Sequence, residues 1–349
     1  MTPEPRVLAD SDGPLWKGYD VALLDLDGVV YLQEQAVVGA AEALAEARRA
    51  GLRLEFVTNN ASRRATEVAA LLRSVGVPAD PAEVVTSAQA AAALLADRLA
   101  PAANVLVVGA EALVAEVTDV GLTAVDSADA RPVAVVQGYG PRVGWPQLAE
   151  AALAVQAGAL WVATNADLTL PSQRGPLPGN GALVAAVTAA TGRTPDEIVG
   201  KPHPRLHTES VRRSGAIRPL VVGDRLGTDI EGAIHAGTDS MLVLSGVTRP
   251  VDLLGAPPHR RPTYVAARLD GLLAAHPGVP VAAETTCGPW TARRSGTEIV
   301  LSGAGEAEQR LDALRALCGA AWSGSTPPER TRAEGAAAEV VLAELGLAR

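Results

Sequence analysis

Short unbroken apolar runs alternate with stretches of helical period along most of this chain. Val21–Leu24 (VALL) is an apolar run that closes on Asp25, the pattern of a strand buried on both faces. Residues 39–51 (GAAEALAEARRAG) follow with helical spacing, an arginine pair in the last turn and a glycine stop, and predict a helix. Residues 52–60 (LRLEFVTNN) predict the next strand, and residues 62–76 a helix with Ser62 as its N-cap. The middle of the chain continues with predicted strands at 104–109, 132–140 and 159–165. A Gly/Pro-rich stretch, LPSQRGPLPGNG (170–181), then breaks the alternation and reads as a functional loop or hinge. The pattern resumes through EIVGKPHP (197–204), PLVVGDRLGTDIEGAIHAG (219–237), SMLVLSG (240–246) and PTYVAARLDGLL (262–273), the last predicting a strand and a helix. Strand and helix in turn predict an α/β fold, a Rossmann-like parallel sheet core.

After Pro277 the texture changes. TARRSGTEIVLSG (291–303) predicts a strand hairpin, residues 306–318 carry Leu311, Leu314 and Leu317 on one helical face, and 327–347 end in another helix. These roughly 70 residues form a candidate small C-terminal α/β extension. Their leucine stripes read as packing faces, and no Gly-rich pyrophosphate loop of the coenzyme A kind is seen, so a structural or oligomerisation role is expected.

Bulk composition narrows the function classes. At 349 residues the chain exceeds one ordinary core, and with 48% hydrophobic but only 3% aromatic residues that core is built from Ala, Val and Leu. A net charge of -9 without a basic stripe argues against nucleic acid as a partner. Cys287 and Cys318 are the only cysteines, which excludes a disulfide scaffold and suits a reducing, cytoplasmic compartment. The N-terminal residues lack a basic region followed by an apolar core, and no run nears about 18 apolar residues, so no membrane insertion is expected. Of the 30 basic residues only Lys17 and Lys201 are lysines, and there are only five asparagines, so each exception is informative.

Four short signals carry candidate chemistry. Asp25-Leu26-Asp27-Gly28 follows an apolar strand, where α/β folds place ligands, although alone it is as readily a solvated Asp-Gly turn. Thr58-Asn59-Asn60 ends the next strand before a helix and offers a hydroxyl and N–H groups for an anion, or merely a turn. Gly200-Lys201-Pro202 uses a compact ammonium where this sequence otherwise writes arginine, the alternative being a solvated surface lysine. In VVGDRLGTDIEGA, Asp224 repeats the strand-then-carboxylate pattern of Asp25, while Asp229 opens a helix and could simply face its dipole. No G-x-G-x-x-G, G-x-S-x-G or Walker loop is present, and the five histidines show no zinc spacing.

In order, D-x-D-G-V, T-N-N, G-K-P and G-D-x-x-x-T-D resemble the haloacid dehalogenase superfamily of phosphotransferases over roughly residues 18–275. PGNGALVAAV and GKPHP look like the NagD-like, C2-capped branch of nucleotide, 4-nitrophenyl phosphate, phosphoglycolate and glycerol-3-phosphate phosphatases. Within it, actinobacterial glycerol-3-phosphate phosphatases, with a similar C-terminal extension, are the best match. Asp25 to Thr58 spans 33 positions, but Thr58 to Lys201 spans 143, roughly 100 more than the core needs, so a cap is inserted between the second and third motifs. The expected division is a core of 1–86 and 184–276, an α/β cap of 87–183 and an extension of 277–349.

The resemblance implies a Mg²⁺-dependent phosphatase acting on a small phosphorylated metabolite, with glycerol 3-phosphate foremost. Phosphoglycolate, nucleotides and pyridoxal phosphate are the alternative substrates. It implies Asp25 as nucleophile forming an aspartyl-phosphate, and Asp27 as general acid and base. Asp25, the Asp27 backbone carbonyl and Asp224 would hold the metal, with Asp229 behind them, and Thr58, Asn59 and Lys201 would hold the phosphoryl oxygens. Repulsion between the paired carboxylates favours opposite protonation states, Asp25 ionised on the metal and Asp27 able to carry a proton. Asn165, Asp167, Arg174 and Asn180 are cap candidates for facing the leaving group. A mutase and a catalytically silent phosphate-sensing regulator are the rivals, and a homo-oligomer is the one open macromolecular partnership.

Overall fold

Each predicted apolar run becomes a strand in a computed structural model that describes residues 7–32, 35–170, 172 and 174–348. The chain divides into two units, one of residues 1–55, 75–77 and 214–349 and one of residues 56–74 and 78–213. The strand Arg53–Thr58 begins in the first and ends in the second.

In the first unit, parallel strands lie in the order Tyr264–Ala266, Asp239–Val243, Pro219–Gly223, Val21–Leu24. The four residues of Val21–Leu24 are all buried, as a continuous apolar run in a two-faced sheet requires. Leu24 pairs with Val222, so the residues that follow these two strands emerge at one edge of the sheet. The segment 262–273 gives its strand, but Leu269–Leu273 is a 3-10 helix and not the predicted α-helix.

The extension belongs to this same unit and is larger in strands than the hairpin foreseen. Glu284–Cys287, Trp290–Ser295 and Glu298–Gly303 are antiparallel, and Arg330–Glu334 adds parallel to the third. The helix Arg310–Trp322 covers them, with Leu314 and Leu317 fully buried. Its apolar contacts join Trp290, Ile299 and Leu317 to Leu242, Leu253 and Val265 of the parallel-sheet region in one cluster. Two polar ties run alongside: Trp322 Nε1 donates to the Leu253 carbonyl (3.0 Å) and Arg315 to the Val265 carbonyl (2.8 Å).

The second unit carries a five-stranded parallel sheet in the order Glu197–Ile198, Leu160–Ala163, Ala134–Gln137, Asn104–Val108, Thr123–Val125. Helices Trp145–Gln156 and Asn180–Thr191 bury Ala151, Val155, Val184 and Val187 against it, around Trp161. Phe56–Thr58 pairs in parallel with Val84–Thr86, and Thr86 caps the helix Ser87–Arg98 through a capping box with Gln89. Ser62 is not the N-cap expected of it. Its N–H (2.7 Å) and hydroxyl (2.9 Å) both donate to Asn60 Oδ1, an Asx turn that delays the helix to Ala65–Ser74. In the 170–181 stretch Leu170 pairs antiparallel with Leu177, beside Thr169 with Pro178, and Asn180 opens the helix that follows. Among the described residues no helix is long and apolar enough to cross a membrane.

Candidate active site

The parallel register of the first unit decides where its acids go. Because Leu24 pairs with Val222, Asp25 leaves one strand end beside Asp224 at the other, and the Asp25 N–H donates to the Val222 carbonyl at 2.8 Å. The chain then turns at once: the Leu26 carbonyl accepts from Val29 (3.2 Å), Val30 (2.9 Å) and Tyr31 (3.2 Å). Gly28 makes that turn at φ +86°, and a Cβ there would lie 2.4 Å from Asp224 Oδ2. Asp224 is wholly buried, and its Oδ2 accepts from the Val247 N–H at 2.6 Å. Asp229 is 1% exposed and sits in a π-helical turn, Leu226–Ile230, where an α-helix start was expected. Its Oδ2 accepts from the Arg225 N–H (3.1 Å) and the Thr228 hydroxyl (3.4 Å).

Asp25, Asp224 and Asp229 each place a carboxylate oxygen within 4.8 Å of the others. Two such charges about 4 Å apart repel by roughly 4 kcal/mol at an effective dielectric of about 20. Hard oxygen donors, two of them buried, fit a divalent ion such as Mg²⁺, which would neutralise that repulsion. Asp229, expected behind the metal, stands in the same cluster as the other two. Asp27 is exposed and bridges through its backbone to Tyr31.

The second unit gathers the remaining candidates around Asn59. Thr58, 6% exposed, ends its strand and accepts the Asn60 N–H at Oγ1 (3.1 Å). Asn59 Oδ1 accepts from the Lys201 N–H (2.8 Å) while Asn59 Nδ2 donates to the Lys201 carbonyl (3.1 Å) and to Asp167 Oδ2 (3.2 Å). Lys201 is 3% exposed, and its Nζ donates to the Val57 carbonyl at 3.2 Å. Gly200 is obligatory here, since a Cβ would lie 2.7 Å from Asn59 Oδ1 and 2.8 Å from the Asn165 Cβ. Asn165 and Asn180 are buried and Asp167 partly so, whereas Arg174 is exposed, with its backbone N–H donating to Ser172 Oγ (3.2 Å).

A cavity of about 780 Å³ in this unit, unanticipated from the sequence, is lined by Ser62, Arg63, Arg64, Tyr139 and Arg142 beside the N-terminus of the helix Glu111–Asp119. Arg64 donates to Asp119 (2.6 Å) and faces Glu116 (3.3 Å), whose carboxyl burial pushes up against the pull of that guanidinium. The adjacent arginines directly after T-N-N-A-S were the signal that could have found it.

Comparison with known proteins agrees with these motifs. The haloacid dehalogenase-like hydrolase family profile matches residues 22–123, a HAD-hydrolase-like profile matches 198–272, and a GCN5-related N-acetyltransferase like domain profile matches 287–347. That last likeness of the extension had no counterpart in the sequence reading. D-glycerol 3-phosphate phosphatase of Mycobacterium tuberculosis is 54% identical over 254 residues, 73% of this chain and 71% of that one. The crystal structure of a glycerol phosphate phosphatase from M. tuberculosis in complex with magnesium is 46% identical with TM-score 0.87, covering 96% of this chain and 99% of that one. A p-nitrophenyl phosphatase from Archaeoglobus fulgidus aligns with TM-score 0.68 at 29% identity, covering 73% of this chain and 98% of its own. The chain belongs to the haloacid dehalogenase-like hydrolases.

Proposed function

We propose that the protein hydrolyses a small phosphate monoester, glycerol 3-phosphate foremost, through a phosphorylated Asp25. The observation that carries this is the carboxylate cluster at the ends of two register-matched parallel strands, with an exposed carboxylate, Asp27, two residues from the first of them. The substrate assignment rests on the mycobacterial relatives, whose names give glycerol 3-phosphate and glycerol phosphate. Asp25 attacks phosphorus and expels the alkoxide, splitting one hard displacement into two. Asp27 gives that alkoxide its proton and then takes one from the water that cleaves the aspartyl-phosphate. The Thr58 hydroxyl, the backbone N–H of Asn59 and the Lys201 ammonium hold the phosphoryl oxygens as their charge redistributes. Asp25, the Asp27 backbone carbonyl and Asp224, with Asp229 beside them, would hold Mg²⁺, which supplies charge neutralisation at the phosphoryl group when bound. The segment 87–183 serves as the cap over the leaving group.

Two buried free cysteines, Cys287 and Cys318, suit a cytoplasmic setting. Phosphate release from glycerol 3-phosphate, phosphoglycolate, nucleotides and pyridoxal phosphate, with Mg²⁺ or with a chelator, tests the reading. Turnover should require Mg²⁺, favour glycerol 3-phosphate, and fall at least about 10³-fold in Asp25→Asn. Release unaffected by the chelator or by that substitution would refute it.

A further inference from the structure

We infer that Asp167, Asn165 and Asn180 are positioning residues for the phosphate grip and not, as their place in the cap first suggests, contacts for the leaving group. The inference rests on the phosphatase reading and assigns these three a different task within it. Asn59 is the hub. Its side-chain amide clamps the main chain of Lys201 from both sides, Oδ1 on the N–H (2.8 Å) and Nδ2 on the carbonyl (3.1 Å). An acceptor on one side and two acceptor-facing protons on the other leave only one sensible orientation of that amide. The second Nδ2 proton goes to Asp167 Oδ2 (3.2 Å), so the Asp167 carboxylate fixes the torsion that seats the clamp.

Asp167 is itself held. Its N–H donates to Asn165 Oδ1 (3.2 Å), and Asn165 Nδ2 reaches back to the Asn59 carbonyl (2.8 Å), which also accepts from Ser87 Oγ (2.6 Å). Asn180, 1% exposed, braces the next step by donating to the carbonyls of Asn165 (2.7 Å) and Gln137 (3.2 Å). Close backbone approach completes the brace: the Gly181 N–H donates to the Asp167 carbonyl (2.9 Å), and a Cβ on Gly179 or Gly181 would lie 2.3 Å from the Asp167 or Ala166 carbonyl oxygen respectively. The PGNG turn therefore acts through Asn165 and Asp167 on Asn59, and through Asn59 on Lys201. Its amide donors, Asn180 Nδ2 and the N–H groups of Gly179 and Gly181, are spent on the protein's own carbonyls.

A contact to the leaving group and a positioning role make opposite predictions for substrate preference. A 1 Å misplacement of a grip costs about 10²-fold in rate whichever alcohol departs. Asp167→Ala should lower kcat about 10- to 100-fold on both glycerol 3-phosphate and 4-nitrophenyl phosphate, leave the ratio of their kcat/KM values within about 2-fold of wild type, and weaken inhibition by inorganic phosphate. Asp167→Asn, whose amide oxygen still accepts from Asn59 Nδ2, should recover most of the rate. A ratio shifted more than about 10-fold would make Asp167 a leaving-group contact, and unchanged kcat would make the brace dispensable; either overturns the inference. Should Asp167→Ala lose its melting transition, Asp167→Asn decides alone, and a loss as deep as that of a non-folding variant overturns it too. Absence of phosphate release by the wild-type protein would instead refute the phosphatase reading itself.

Discussion

At the scale of single residues, the acids were legible and the spaces around them were not. Asp25 and Asp224 each end an unbroken apolar run, so a parallel sheet brings them to one edge, and that much follows from period and order alone. Gly246 carries no comparable mark, because what it does depends on a distant residue: a Cβ there would lie 2.0 Å from Asp224 Oδ2. Gly223 is similar, with a Cβ position 2.2 Å from that of Asp229. Gly246→Ala should therefore push the Asp224 carboxylate out of the cluster. We expect activity to fall at least about 10²-fold and the Mg²⁺ concentration for half-maximal rate to rise, read from Mg²⁺ titrations of phosphate release beside a thermal melt that stays cooperative.

At the scale of elements, the strands were readable because burial on two faces leaves no polar alternation. Helix starts were less so, since they depend on side chains that can serve more than one backbone group. Ser62 had the right residue type for a cap but was captured by Asn60, and the turn holding Asp229 carries a π-helical register that residue pattern does not encode. A tie of another kind secures the first strand. Burial alone would raise the Asp20 carboxyl, but the N–H groups of Ile217 (2.9 Å) and Arg218 (2.9 Å) and the Arg53 guanidinium (3.2 Å) outweigh it and hold the group below the usual carboxylate range. A depressed folded-state value means stabilisation that is present above the unfolded value of about 3.9 and lost as pH falls through the folded one. Asp20→Asn should cost about 1 kcal/mol at pH 7, discounted for partial exposure, and almost nothing at an acid pH below the folded-state value. Urea unfolding of both proteins at the two pH values measures the gap, and a gap that persists in acid would remove the ionised clamp as its cause.

At the scale of the whole molecule, the C-terminal residues were the least readable part. Their leucine stripe announced a packing face but not what it packs on, because the partners, Leu242, Leu253 and Val265, lie in a segment that already reads as a complete alternation. Glu284–Cys287 was missed, and Arg330–Glu334, whose residues range from partly buried to exposed, lacks the unbroken apolar run that marked other strands. A buried leucine at this junction should cost what any core leucine does. Leu314→Ala is expected to lose about 2–5 kcal/mol in denaturant unfolding, with the whole first unit melting as one transition. Separate transitions for the extension and the parallel-sheet region would show that the shared cluster does not couple them.

That cluster contains Leu8 near one end of the sequence and Leu347 near the other. During translation the first of these leaves the ribosome long before the second, so this cluster cannot close until the residues around Leu347 have been made. A product stopped before the extension would leave Leu242, Leu253 and Val265 without their partners, an apolar surface of the kind that chaperones and proteases recognise.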